Sequence, residues 1–562
     1  MPALPRLVFA ALVAITFSCA AIRPDPPREL QAYAGTPVSF ETAESGRGAE
    51  YDWMFGDGQT PIRGPRATYS FARSGRYEVR ALRGGQLAAT FHVSVVPRPV
   101  LHAIPRDARA ALYLSRTKDL RTALEFARRA IGPLVSDDLF DREPFLRIAL
   151  SAEEGAAAEL GLDEDEGLGV FRLGTGEWIG TVGTADDAKA LAAARQRLEE
   201  SGFRAAASAE GVLVMERGGV GLVGVVDRGY LYLATVDTPE SAGGRVGGLR
   251  ERLRAIPDDG LAGDSLLKEL RGQIAEGQAT VFWRDDLAGA NGGVRGGAAS
   301  VRFQGDEMDL DGRLRGDGPL WDASRSPQRA PLERAPEGPV LALSASVSPD
   351  DLARLIRGGR ASAAELDELA RLLQGDVALA AYFDARATAR AMRGGLPKPS
   401  SVGGTLIAQA GIRDRRGAER FLESSLERSA LPFKKRSAGD ATTFLLEWGG
   451  HRAAIEITDR RMSLEAGLPL RDRRGVALAE SLRSRFVPSA FGPGHVSLLV
   501  DVGQVTREMD PGARGRGVEA AAMLGVLSVF IRQATAVETI FLDLEPDPRG
   551  GRLRGRVTLR PN

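Results

Sequence analysis

The sequence is poor in the residues that build disulfides and transition-metal sites. It has one cysteine, Cys19, and four histidines among its 562 residues. A single thiol excludes a disulfide framework within the chain and a metal cluster bound by several thiolates. The histidines, His92, His102, His451 and His495, form neither H-x-H nor H-E-x-x-H spacing. We therefore predict no metal centre.

Excess charge of one sign is also absent. Lysine plus arginine and aspartate plus glutamate both number 74, so the formal net charge is zero. The sequence has no clustered basic tract with interleaved aromatic residues, so we predict no nucleic-acid partner. The length predicts several domains, and the 43% hydrophobic and 26% charged content is typical of globular proteins.

Long apolar runs are missing after the N-terminus. The longest later run covers only Ala520–Ile531, which is the length of a buried helix. An earlier run, Leu7–Phe17, follows Arg6 and precedes small residues. This pattern predicts a secretory signal peptide over residues 1–18.

Cys19 follows this apolar run directly, and a proline-rich stretch comes next. The arrangement resembles the acylation site of bacterial lipoproteins. The resemblance implies a lipidated Cys19 with a tether over residues 19–30, and Ala20 after the cysteine implies sorting to the outer membrane. Ordinary signal-peptidase cleavage near Ala20 or Ala21 is the alternative.

Aromatic residues alternate in the stretch YDWMFGDGQT. Tyr51, Trp53 and Phe55 fall on one face of a predicted strand. Asp57 and Gly58 then supply the chemistry of a tight turn, since glycine accepts a positive φ and aspartate bonds nearby amides. About seven such short segments, separated by turn residues, predict a small β-sandwich.

Two motifs in this region resemble those of the PKD family of immunoglobulin-like domains. The resemblance covers Asp25–Pro97, and Phe71 stands where the family usually has tyrosine. It implies a non-catalytic spacer or interaction domain over residues 31–97, in which Asp57 is structural and does not bind calcium. The matching residues are Trp53, Phe55, Gly56, Asp57, Gly58, Phe71, Gly75, Tyr77 and Val79.

The remaining sequence repeats one order of elements. A strand at Ala110–Leu114 opens the first copy, and each copy contains a strand, an acidic loop, an amphipathic helix and a meander of three strands. The first such helix, Ala185–Glu200, has an apolar stripe of Ala188, Leu191, Ala194 and Leu198. We predict two related α+β repeats, each an antiparallel sheet with packed helices, over residues 98–330 and 331–562.

The complete predicted fold is therefore multi-domain, with an all-β PKD-like sandwich followed by the two α+β repeats. In outline, residues 98–562 resemble uncharacterised envelope proteins of delta-proteobacteria. The resemblance depends on Ile104–Leu114, on Leu160–Asp163 and on the segments that begin at Ile179 and Leu406. It implies a place in the cell envelope and brings no activity with it.

Several short motifs invite a catalytic interpretation. Gly263–Leu270 reads GDSLLKEL, yet no D-x-x-H follows it, so we interpret Asp264 and Ser265 as a helix N-cap. Ser115–Lys118 matches S-x-x-K without its S-D-N and K-T-G partners. Leu162–Gly167 lacks the spacing of a calcium loop and is predicted to be a solvated acidic loop. Adjacent carboxylates such as Asp350-Asp351 diverge, so we predict no catalytic residue and no cofactor.

These observations predict a non-enzymatic lipoprotein of the cell envelope that acts as a binding or scaffold component. Its partners would be the membrane, through the lipid anchor, and an envelope protein that recognises the PKD-like domain. The alternative is a periplasmic carrier that holds a lipid or another amphiphile in a cleft of the tandem halves. A wall of that cleft would then be the apolar segment Val518–Ile531.

Overall fold

The structure is a computed structural model. It describes residues 25–45, 48–71, 74–132, 145, 157–209, 211–236, 242–284, 294–316, 338–346, 368, 371–384, 404–448, 451–467, 496–509, 536–547 and 549–561. Cys19, His495, Asp350-Asp351 and Val518–Ile531 lie outside the described residues, so the predictions made for them stay predictions.

The first seven strands form two small sheets. One sheet has the order β1-β7-β6-β3-β4, with β1 parallel to β7, and the other pairs β2 with β5. The strands are β1 Arg28–Tyr33, β2 Pro37–Glu41, β3 Tyr51–Met54, β4 Ile62–Gly64, β5 Arg66–Ser70, β6 Gly75–Arg83 and β7 Gln86–Val96.

Alternation of the side chains produces the core of this sandwich-like domain. Along β3, Tyr51 and Trp53 are buried while Asp52 and Met54 are exposed, as the period of two requires. The rings of Phe40 and Phe91 pack edge to face with centroids 5.4 Å apart. The number and type of strands agree with the sandwich predicted for residues 31–97.

Strands also dominate the rest of the described chain. They are β8 Ala110–Leu114, β9 Leu168–Arg172, β10 Trp178–Gly183, β11 Arg204–Ala209, β12 Val212–Arg217, β13 Val220–Asp227, β14 Tyr230–Val236, β15 Ala279–Arg284, β16 Val294–Gln304, β17 Glu307–Gly316, β18 Leu341–Ser346, β19 Leu373–Phe383, β20 Gly404–Ile412, β21 Phe433–Ala438, β22 Ala441–Trp448, β23 His451–Ile457, β24 Arg461–Gly467, β25 Val496–Asp501, β26 Val537–Asp547 and β27 Gly550–Leu559.

Helices are fewer in the described part of the chain. They are α1 Val100–Ala103, α2 Leu120–Ile131, α3 Asp187–Glu200, α4 Ala242–Arg254, α5 Ser265–Arg271, α6 Arg415–Arg428 and α7 Val502–Met509, with 3₁₀ turns at Thr117–Asp119 and Gly260–Gly263. Residues 98–561 are therefore mostly strand where they are described, and two α+β repeats with packed helices remain a proposal.

The chain divides into two compact units. The first contains Met1–Arg106, Glu154–Leu168 and Ile179–Leu261, and the second contains Asp107–Glu153, Gly169–Trp178 and Ala262–Asn562. The sandwich-like domain thus belongs to the same unit as β11–β14. The repeat boundary near residue 331 stays a prediction.

In the first unit, β10 to β14 form an antiparallel sheet in the order β10-β14-β13-β12-β11. Helix α3 packs on it and is capped by Asp186, whose side chain accepts a hydrogen bond from the amide of Lys189. The predicted apolar stripe was partly wrong, because Ala188 is exposed and Leu191 is half-buried. Ala190, Ala194 and Leu198 are the buried residues, and the helix begins two residues later than predicted.

In the second unit, antiparallel pairing connects most of the strands into one sheet. Its order is β8-β15-β16-β17-β27-β26-β25-β18-β19-β20-β24-β23-β22-β21. The β17–β27 pair lies at the centre of the first eight strands. On one side of it the strands run outward as β16, β15 and β8, and on the other side as β26, β25 and β18, so the chain order falls on both sides. This central pair extends over Glu307–Arg315 and Gly550–Thr558.

Candidate functional site

The turn predicted from the GDG motif connects β3 to the segment before β4. Trp53 is fully buried, and its indole Nε1 donates to the carbonyl of Gly64 at 3.0 Å. Gly56 has φ +73°, and a Cβ there would lie 2.8 Å from the carbonyl oxygen of Glu78. Only glycine fits this close approach of two backbone segments.

Asp57 and Gly58 complete the turn. Gly58 has φ +82°. One carboxylate oxygen of Asp57 accepts from the amide of Gln59 at 3.2 Å, and the other accepts from the hydroxyl of Tyr69. Burial, together with this bond to Asp57, raises the pKa of Tyr69 to about 12. Both carboxylate oxygens therefore hold neighbouring parts of the domain in place.

The second PKD motif supplies the other side of the same aromatic cluster. Phe55 stacks on Tyr69 with ring centroids 3.8 Å apart, and Phe71 stacks on Tyr77 at 4.5 Å. Gly75 begins β6, and a Cβ there would lie 3.5 Å from the Tyr77 ring. Of the nine residues that match the PKD motifs, five aromatic and aliphatic side chains lie in or against the sandwich core, and the three glycines and Asp57 lie in the turn after β3 and at the start of β6.

The segment that leaves the domain is held by two buried tyrosines of β14. The hydroxyl of Tyr230 donates to the carbonyl of Arg98 at 2.5 Å, and that of Tyr232 donates to the carbonyl of Ala103 at 2.9 Å. The guanidinium of Arg98 is itself buried and donates to the carbonyl of His102. Its burial lowers the pKa of Arg98. These bonds fix the exit of the sandwich-like domain to the β14 strand.

The domain also contacts this region directly. The rings of Tyr33 and His102 lie 4.7 Å apart, and Gly35 packs against Arg228 in the β13–β14 hairpin. Arg228 is held in turn by the carbonyl of Ile256 at 3.2 Å. The first unit therefore fastens its sandwich-like domain at two places.

We expect a side chain at Gly35 to open this junction. Gly35 has φ +74°, and a Cβ there would lie 2.7 Å from Cβ of Arg228. Gly35→Val should therefore cost about 1–3 kcal/mol through overpacking and speed amide exchange of residues 98–106 roughly tenfold or more. Hydrogen exchange measured by mass spectrometry checks this.

Gly85→Val is the matched control for backbone strain. Gly85 has φ +82°, and a Cβ there meets nothing within 4 Å. It should disturb its own hairpin without loosening residues 98–106. Equal exchange of these residues in both variants would contradict a junction at Gly35.

Among the four carboxylates of the acidic LDEDEG stretch, Glu166 is the one for which the prediction of a solvated loop was wrong. Its side chain is buried and packs against Gly183 of β10. Burial raises the pKa of Glu166 to about 8, the charges of Asp163 and Asp187 add to this, and Arg98 opposes it. The run of four acidic residues did not reveal this burial, because β10, which covers Glu166, lies outside the stretch.

The motifs that invited a catalytic interpretation occupy ordinary structural positions in the second unit. Asp264 caps α5 by accepting from the amide of Leu267 at 2.8 Å, as predicted for the GDSL stretch. It also pairs with Arg284 at 3.2 Å. Ser115 is exposed and precedes the 3₁₀ turn Thr117–Asp119, so it does not begin a buried helix.

A row of polar residues crosses the large sheet of the second unit, which sequence reasoning missed. Neighbours in the row are register partners, so their side chains share one face. The eight residues, from β8 through to β18, are Tyr113, Thr280, Ser300, Asp311, Arg554, Asp543, Ser497 and Ser344.

Six of these eight residues are buried, and Asp311 and Arg554 are half-buried. The hydroxyl of Ser497 lies 2.5 Å from a carboxylate oxygen of Asp543, and Arg552 pairs with Asp311 at 3.2 Å. The hydroxyl of Ser344 makes no hydrogen bond within the described chain. Buried polar rows are costly unless satisfied, so this polar row is a candidate for binding a polar molecule.

In the part of the chain that the structure describes, no helix has both the length and the apolarity to span a bilayer. The same part contains no group of three or more histidine, cysteine, aspartate or glutamate side chains arranged to hold a metal ion.

Comparison with known proteins agrees with the geometry of the sandwich. No curated protein matches the chain. The model of the PKD domain family matches residues 27–87, which include the aromatic strand, the GDG turn and the second motif. The protein therefore carries a PKD domain near its N-terminus.

Proposed function

We propose that the protein is a non-enzymatic binding or scaffold component of the bacterial cell envelope. The PKD domain carries this proposal, because such domains are usually extracellular spacer or interaction modules. Residues 1–18 would be a signal peptide, and a lipid on Cys19 would anchor the protein at the outer membrane. One such anchor contributes ~0.8 kcal/mol per buried CH₂ group.

The geometry of the first unit supports a presenting role for the PKD domain. The bonds of Tyr230 and Tyr232 and the contact of Tyr33 with His102 hold the domain in one orientation. Its outer surface exposes Met54 and Leu87 by 44% and 40%. A fixed domain with exposed apolar side chains suits recognition by a partner protein of the envelope.

We also propose that the second part of the chain arose from two related halves. The strand order supports this, because β17, β16, β15 and β8 follow one another outward on one side of the central pair as β27, β26, β25 and β18 do on the other. Asp311 and Arg554 lie opposite each other at this centre. Antiparallel pairing of equivalent terminal strands is the contact that a two-fold relation between halves produces.

The alternative function, a carrier of a lipid or another amphiphile, has less support. One cleft of the described chain is lined by Arg116, Arg271 and Arg302 and by amide side chains as well as a few apolar residues, and so mixed a surface does not suit a long acyl chain. Val518–Ile531, the segment proposed for an apolar wall, lies outside the described residues.

The anchor is tested through Cys19, which is the only cysteine. Wild-type protein expressed in a bacterium that is fed radiolabelled palmitate should incorporate the label and sediment with the outer membrane. Cys19→Ser should lose both properties because no other thiol can be acylated. Unlabelled wild-type protein, or a labelled serine variant, would contradict the anchor.

The partner-binding role is tested on the PKD surface. A photo-crosslinking amino acid at Met54 should trap a defined envelope protein in cells, and the same group at exposed Gln59 should trap less of it. Absence of any specific adduct from Met54, Leu87 and Ile62 would contradict the interaction role, whatever the result for Cys19.

A further inference from the structure

A cleft of about 510 Å³ lies in the second unit, next to the first strands of the polar row. Its volume is within the range of small-molecule sites. Thr280 belongs both to the cleft wall and to the polar row. The side chains that matter to its chemistry are Ser115, Arg116, Arg271, Gln278, Arg302 and Gln304.

The three arginines of the cleft differ in the hydrogen bonds and ion pairs that they make with the rest of the chain. Arg116 forms a two-pronged pair with Asp119, with Nε–Oδ2 at 3.1 Å and Nη2–Oδ1 at 3.2 Å. Arg302 donates from Nη2 to the backbone carbonyl of Glu276 at 2.7 Å, which leaves its charge unneutralised by that contact. Arg271 makes no hydrogen bond or ion pair with residues that the structure describes.

The charge balance of the cleft is therefore positive. Asp119 is occupied by Arg116, and the Glu276 carboxylate is the other negative group among the lining residues. Against it stand Arg271, at the end of α5, and Arg302, on β16. Two arginines from separate elements thus line one cleft, and guanidinium groups are suited to the oxygens of an oxyanion.

Tyr113 provides an independent observation at the same place. Its side chain is 2% exposed, and its register partner on the neighbouring strand is Thr280 of the cleft wall. Burial raises the pKa of Tyr113, whereas Thr280 and Arg271, both in the cleft wall, act in the opposite direction. Tyr113 therefore adds a buried hydroxyl directly behind the cleft wall, next to Thr280 and within the electrostatic influence of Arg271.

We propose that this cleft binds a small polar molecule through a carboxylate or phosphate group held by Arg271 and Arg302. Gln304 and Ser115 supply further hydrogen-bonding groups at the rim, and Phe303 supplies an apolar surface that packs on Phe126 with centroids 5.5 Å apart. The inference deepens the proposed binding role by naming the chemistry of a ligand.

Isothermal titration of the full chain with inorganic phosphate and, separately, with citrate tests the proposal at constant ionic strength. Saturable binding of phosphate assigns the site to phosphoryl groups, and saturable binding of citrate assigns it to carboxylates. In either case the double variant Arg271→Gln, Arg302→Gln should lose at least about tenfold in affinity, because charge-assisted bonds disappear.

Arg452→Gln is the matched control, since Arg452 is 78% exposed and pairs with Glu447 on a hairpin of the same unit. It should bind as wild type does, and circular dichroism should show all variants folded. Lack of saturable binding by both probes, or equal affinity in the double variant, would overturn the proposal. Neither result affects the tests at Cys19 and Met54. Failure of the ligand site is therefore distinguishable from failure of the proposed anchor and partner-binding roles.

Discussion

Replacing Trp53 by alanine is expected to destabilise the PKD domain by about 3–5 kcal/mol, the usual cost of removing a fully buried large aromatic side chain. Trp53 contacts the rings of Phe40 and Phe91, with centroids 6.2 and 6.1 Å away. Its loss also leaves the buried carbonyl of Gly64 without the indole donor.

Hydrogen exchange in the full chain measures this effect locally. Amides of residues 48–96 that exchange through opening of the domain should do so roughly a hundredfold faster or more in the Trp53→Ala variant. The neighbouring residue Met54 is 44% exposed, so Met54→Ala should change stability by less than about 0.5 kcal/mol. Similar exchange in the two variants would show that Trp53 does not hold the core.

The PKD domain was predictable because its signals are local. Alternation of Trp53 with exposed neighbours identifies a strand and its buried face, and the glycines around Asp57 identify the turn that follows. Each of these features depends on residues within a few positions in the sequence. The limits of the strand Ala110–Leu114 were also predicted correctly, because they too depend on neighbouring residues in the sequence.

The polar row was not predictable because it depends on pairing over long distances. The charges of Asp309, Asp311 and Arg313 alternate with apolar residues and correctly indicate a strand. The pattern cannot reveal that Asp311 lies opposite Arg554, more than two hundred residues later. Register between distant strands comes from the whole sheet, so a charged face that looks solvated in sequence is half-buried in the structure.

Helix α3 illustrates ambiguity of another kind. Its alanines occur on more than one face, so a stripe through Ala188 and one through Ala190 are equally apolar. Only the orientation of the helix on β12 and β13 selects Ala190, Ala194 and Leu198 as the buried set. Small residues therefore give a weaker periodic signal than the aromatic residues of the PKD domain.

The stability of the first unit is expected to fall as pH rises from about 4.5 to about 8, because of Glu166. Its folded-state pKa is raised from 4.5 to about 8, so the folded unit keeps a proton that the unfolded chain releases. Because the folded state binds one proton more than the unfolded state in this range, the free energy of unfolding decreases as pH rises. The penalty is absent below pH 4.5 and complete above pH 8, where it reaches roughly 5 kcal/mol.

Glu166→Gln should remove this dependence, since a neutral amide cannot be ionised. The full chain is unfolded with denaturant at pH 5 and at pH 8, and hydrogen exchange reports the stability of the first unit. The variant should be about as stable as wild type at pH 5 and markedly more stable at pH 8. Glu164, which is exposed in the same loop, provides the control Glu164→Gln with no such trend. A difference between Glu166→Gln and wild type that is equal at both pH values would mean that Glu166 is ionised in the folded protein. Its proximity to Arg98, which favours the charged form, would then outweigh the burial that disfavours it.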